Sequence, residues 1–199
     1  MKHLFKLALV TFLFVGCAET PRSVTTNTTG GITIKSAAYT TTDVSINTTP
    51  VADFKFCITK IQLKNSEGSY VIEEGGSESI EAILGLIDVS TPSSAVTWGT
   101  ITIPTGFTLG EMSLEVHTDA ENCSGAEYSV SFNGTTITKD LEFKFTFNPA
   151  VEIVGNETLV LAIDQITAAF IAASEAGKLN NEFIGEYMTT AITGTGSKD

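Results

Sequence analysis

Leu141-Glu142-Phe143-Lys144-Phe145-Thr146-Phe147 alternates apolar and polar residues without a break. Successive side chains of a strand point to opposite faces, so this run sends Leu141 and three phenylalanines to one side and polar groups to the other. It predicts a half-buried β-strand. Met112-Leu114-Val116 alternates in the same way with Ser113, Glu115 and His117, and Tyr128-Val130-Phe132 with Ser129 and Ser131. The last of these runs into Asn133-Gly134, a strong hairpin signal because both residues tolerate positive φ, and Ile137 lies on the return strand.

Weaker strand signals surround these three. They are Ile32-Ile34, Val44-Ile46, Tyr70-Ile72, Ile101-Ile103 and Leu159-Leu161-Ile163. In the apolar stretch from Phe54 to Leu63, Phe54-Phe56-Ile58 and Ile61-Leu63 fall on opposite parities. Either both faces are buried there, or a bulge near Thr59-Lys60 shifts the phase. Many short strands with frequent turn signals indicate a mainly β chain folded as a β-sandwich. Two segments read as helix. Ser79 to Leu86, with Ile80, Ile83, Leu84 and Ile87, fits helical spacing, and Ile166, Ala169, Phe170 and Ala173 recur at i, i+3, i+4 and i+7. Asp164 is placed to cap the second helix and Gly177 to end it.

The first residues carry an address. Lys2 and Lys6 precede an apolar run from Leu7 to Val15, which is the pattern of a secretory signal and is too short for a permanent membrane span. The run ends in Leu13-Phe14-Val15-Gly16-Cys17. This resembles the lipobox of bacterial lipoprotein precursors, with Phe14 where Leu is usual. The resemblance implies cleavage before Cys17, a diacylglycerol on its thiol and often a further acyl chain, such as palmitate, on the new amino group. Two or more chains give stable anchoring where one does not. Ala18, in place of an Asp after the cysteine, resembles outer-membrane sorting. The implied location is the bacterial cell envelope, on the outer membrane.

The domain organisation that follows is a signal peptide over 1–16, a lipidated N-terminus and flexible tether over 17–31, a β-sandwich over 32–193 and a frayed tail over 194–199. The tether reading rests on a Thr- and Asn-rich stretch too poor in apolar residues to offset the entropy of ordering. The middle of the chain also resembles an uncharacterised domain family common in bacterial lipoproteins. The residues that carry this are the strand Phe54 to Leu63, the apolar segment Ile83 to Asp88, and Ile103-Pro104-Thr105-Gly106-Phe107 leading into Met112-Ser113-Leu114-Glu115-Val116. The resemblance spans roughly residues 32 to 163. It implies an antiparallel immunoglobulin-like or transthyretin-like sandwich and brings no catalytic residues.

The chain has 11 basic and 23 acidic residues. Without Lys2 and Lys6 the basic count falls to 9, and the formal charge to −14. Phosphate binding needs clustered Lys and Arg, so the balance argues against nucleic acid and against electrostatic docking on anionic lipid. With Cys17 lipidated, Cys57 and Cys123 are the two cysteines left, and an oxidising compartment predicts a disulfide between them.

Chemistry-bearing residues are few. Past the signal the single histidine is His117, which has outward parity on its strand; a Ser-His-Asp triad would have to use it, with Asp119 near in sequence. Zinc lacks ligands. Asp119, Glu121 and Asn122 offer calcium-type oxygens without the glycine and terminal Glu of a full EF-hand loop, so no metal and no cofactor is expected. Trp98, followed by Gly99, is a candidate for stacking on a sugar or anchoring a partner; core packing at a strand end is the alternative. The expectation is a non-enzymatic envelope lipoprotein that binds a protein or glycan partner or has a structural role. The alternative is an envelope hydrolase acting on carbohydrate or peptide, through paired acids such as Glu73-Glu74, Glu78-Glu81 or Asp119-Glu121.

Overall fold

The structure is a computed structural model that describes residues 23–26, 28–40, 50–188 and 192–199. The signal segment, Cys17 and the Val44-Ile46 strand signal lie outside the described residues. In chain order the elements are β1 (Ser23–Thr26), β2 (Thr29–Ser36), β3 (Phe54–Asn65), β4 (Tyr70–Glu73), β5 (Ser79–Asp88), β6 (Val96–Pro104) and β7 (Phe107–Val116). They continue with β8 (Val130–Phe132), β9 (Thr135–Ile137), β10 (Leu141–Ile153), β11 (Thr158–Ala162), α1 (Asp164–Glu175), α2 (Ile184–Tyr187) and β12 (Thr193–Lys198). No described helix is long and apolar enough to cross a membrane.

The chain is mainly β, as its alternation predicts. The main path of the sheet runs β1-β4-β3-β7-β10-β12-β11-β2-β6, and β5 and β8 branch from β3. The phenylalanines of the Leu141 to Phe147 run all face inward and are buried. Distant strands of the path meet across the core: Trp98 of β6 packs edge-on against Phe56 of β3, with ring centroids 5.4 Å apart. β3 changes phase as its parity suggests, with a register shift between Ile58 and Lys60 against both β5 and β7.

Helix α1 caps this core. Ile166, Phe170, Ile171 and Ala173 are buried, and the Phe170 ring sits 5.2 Å from Phe54, 5.5 Å from Phe132 and 6.1 Å from Phe143. Asp164 lies in the first turn rather than at the cap, where Ile163 stands without a side-chain hydrogen bond. Gly177, at φ +66°, ends the helix as expected: the Lys178 N–H donates to the Ala173 carbonyl at 2.8 Å.

Four further expectations are corrected. Ser79 to Leu86 is not a helix but most of β5, paired antiparallel with β3. The sandwich is not purely antiparallel, because β1–β4, β10–β12 and β11–β2 pair in parallel. A parallel pair needs a crossover, and α1 and α2 lie on the route from β10 to β12. The tail is not frayed: β12 fills the slot between β10 and β11. Gly194 and Gly196 suit that slot because the rings of Phe145 and Phe147 lie where their side chains would be. Finally, the stretch expected as tether is already sheet at Ser23–Thr26, against β4, and again from Thr29, against β6.

Candidate functional site

Strand β7 ends at Val116, and the chain leaves it through His117. The His117 N–H still donates to the Cys57 carbonyl of β3 at 3.1 Å, which fixes the backbone at the mouth of a shallow cleft. This cleft has a volume of about 290 Å³ and is lined by Thr59, Lys60, Glu81, His117, Thr118, Asp119 and Asn122. The imidazole is held on both sides. Its Nε2 lies 3.1 Å from a Glu115 carboxylate oxygen, and its Nδ1 lies 3.2 Å from Asp140. Glu115 shares the outward face of β7 because it precedes His117 by two positions, a relation the alternation already contained. Asp140 arrives from the turn before β10 and had no such signal.

The other wall is the loop from Asp119 to Gly125. The Asp119 carboxylate accepts the Asn122 backbone N–H at 3.1 Å and its side-chain amide at 2.8 Å. These hydrogen bonds hold the Asp119 carboxyl below the usual carboxylate range. The Cys123 N–H donates to the Asp119 carbonyl and the Gly125 N–H to that of Ala120, both at 2.8 Å. Cys57 and Cys123 are joined in a buried disulfide, with Cα atoms 5.9 Å apart, so the loop is bolted to β3. The predicted pairing is present.

Chemically, the arrangement orients an imidazole and does little to aim it at a nucleophile. Both ring nitrogens face carboxylates, and the neighbouring Thr118 hydroxyl donates to the Thr138 carbonyl at 3.2 Å. Among the described residues no three His, Cys, Asp or Glu side chains are grouped to hold a metal ion. Asp119 and Asn122 spend their polar atoms on each other in forming the turn. Trp98 is only 6% exposed and packs in the core, so it offers no open ring face for a sugar; its Nε1 is buried with no hydrogen-bond partner among the described residues.

Sequence reasoning also passed over Glu157, which is 4% exposed at the turn between β10 and β11. Its carboxylate accepts the Gly155 N–H at 2.9 Å and the Val154 N–H at 3.3 Å, and Lys198 lies 3.7 Å away. Burial works against the charge, but the backbone hydrogen bonds and Lys198 outweigh it and hold the carboxyl below its ordinary range. Near β8, Ser131 donates to Asp53, and Asp53 draws the Lys55 ammonium upward in pKa. Both clusters tie turns and strands together.

No protein-family model, no curated protein and no solved structure matches the chain.

Proposed function

We propose that this is a lipid-anchored lipoprotein of the bacterial cell envelope, sorted to the outer membrane. It is a non-enzymatic sandwich that binds a protein or glycan partner or serves a structural role there. The observation that carries the reading is the cysteine count. The chain has three cysteines, and the Cys57–Cys123 disulfide takes two of them. The third, Cys17, stands at the end of the lipobox-like stretch. Disulfides persist in compartments outside the cytosol, which is where a lipobox would send the chain. The non-enzymatic part of the reading draws on His117, whose two nitrogens are occupied by Glu115 and Asp140.

Metabolic labelling with a fatty-acid analogue tests the anchor. Wild-type protein is expected to incorporate the label and to fractionate with membranes, and Cys17→Ser to do neither. Equal labelling of the two would refute the reading. A panel of glycoside, ester and peptide substrates tests the rest; any hydrolysis that His117→Ala lowers by two orders of magnitude would replace it with the hydrolase.

A further inference from the structure

We infer that the β3–β4 turn end of the sandwich faces the bilayer, and that the His117 cleft is presented away from it. This inference rests on lipid at Cys17 and adds an orientation to it. Ser23 stands six positions after Cys17 and is already seated in β1, opposite Tyr70. Six residues span at most about 20 Å even when fully extended, so Ser23 is held near the membrane surface.

The direction follows from strand pairing. β1 runs parallel to β4 with Ser23 opposite Tyr70, so Ser23 lies at the end where the chain enters β4. That end of the molecule holds the turn from Asn65 to Ser69. It also holds the Thr105-Gly106 turn and the turn from Val154 to Glu157, because Ser66 bonds to Thr108 and Gly106 to Ile153 through their backbones.

The opposite end carries the cleft. β3 runs from Cys57, beside His117, to Asn65, beside the turn. Eight residues of strand separate them by roughly 25 Å. Lys60, Glu81, His117 and the disulfide-bolted loop are therefore held clear of the headgroups, on the surface that a partner beyond the membrane meets first.

Energy transfer measures this directly. The chain from Cys17 onward contains every described residue. With its Cys57–Cys123 disulfide intact, it is coupled through Cys17 to a maleimide phospholipid in vesicles of phosphatidylethanolamine and phosphatidylglycerol. A donor dye is placed on p-azidophenylalanine introduced at Ser66 or at Glu121, both exposed positions, and an acceptor dye on lipid headgroups. Transfer from position 66 is expected to be several-fold more efficient than from position 121. Equal transfer, or stronger transfer from 121, overturns the orientation. Because the anchor here is chemical, that failure is distinct from failure of the lipid reading, which shows as absent fatty-acid labelling in cells.

Discussion

Gly30 and Gly155 pack backbone against backbone: a Cβ built on Gly30 would stand 2.6 Å from the Gly155 Cα and 2.9 Å from the Thr105 methyl. The contact joins β2 to the turn after β10, just before that chain becomes β11, the parallel neighbour of β2. Gly155 has φ +90° and cannot shift freely to make room. Gly30→Ala is expected to destabilise the fold by about 1–3 kcal/mol, the usual cost of forcing atoms into a filled space. Urea unfolding measures it; a midpoint equal to wild type would show that the contact is slack.

The disulfide is a larger contributor. Cys57 and Cys123 are separated by 66 positions, and cross-linking a loop of that length contributes about 4 kcal/mol in the chain-entropy model. Unreduced protein is expected to show neither cysteine alkylated by mass spectrometry. The Cys57→Ala, Cys123→Ala double variant should lose most of that 4 kcal/mol in chemical denaturation. Two free thiols in unreduced material would contradict the pairing.

Phe170 is the one ring that α1 sends among the core phenylalanines, touching Phe54, Phe132 and Phe143. Phe170→Ala removes that ring from a fully buried position and is expected to cost about 3–5 kcal/mol. Thermal unfolding by circular dichroism would register it as a large drop in midpoint. A change below about 1 kcal/mol would mean that α1 is not part of the cooperative core.

Glu157 gives the fold a pH dependence of predictable sign. Its carboxyl titrates lower in the folded chain than the ordinary value. Its charge therefore stabilises the fold at neutral pH, and the contribution is lost as pH falls through the carboxylate range. Glu157→Gln places an amide beside the Val154 and Gly155 N–H groups and should cost about 1–3 kcal/mol near neutrality. The gap between variant and wild type is expected to narrow on acidification, and urea titrations at about pH 7 and about pH 3 compare the two. A gap that widens toward acid would reverse the assignment.

How far the sequence showed all this depends on whether burial leaves a periodic mark. Strands β7 and β10 were legible because one face is apolar and buried in the core while the other carries polar residues, so polarity alternates. β5 was not. Its pairing with β3 breaks between Ile58 and Lys60, where three residues of β5 stand opposite one of β3. Ile80 and Ile87 lie on opposite parities, yet both pack toward the core, and that slip imitates the spacing of a helix. β12 was illegible for the opposite reason. Its inward positions are Gly194 and Gly196, filled by rings from β10, so it is held by backbone pairing and presents no apolar pattern. The cleft was half legible: His117 and Glu115 share a strand face, but Asp140 reaches them only through the fold.

The place of β12 also bears on when the molecule can finish folding. The strand that joins β10 to β11 is made after both, beyond two helices. A ribosome that has released everything through α2 has therefore produced a sheet with a gap in its middle. Contacts so distant in sequence form late and slowly. Until Thr193–Lys198 is in place, β10 and β11 each lack the neighbour that β12 gives them, so the sheet is closed by a strand that is inserted between two others rather than added at an edge.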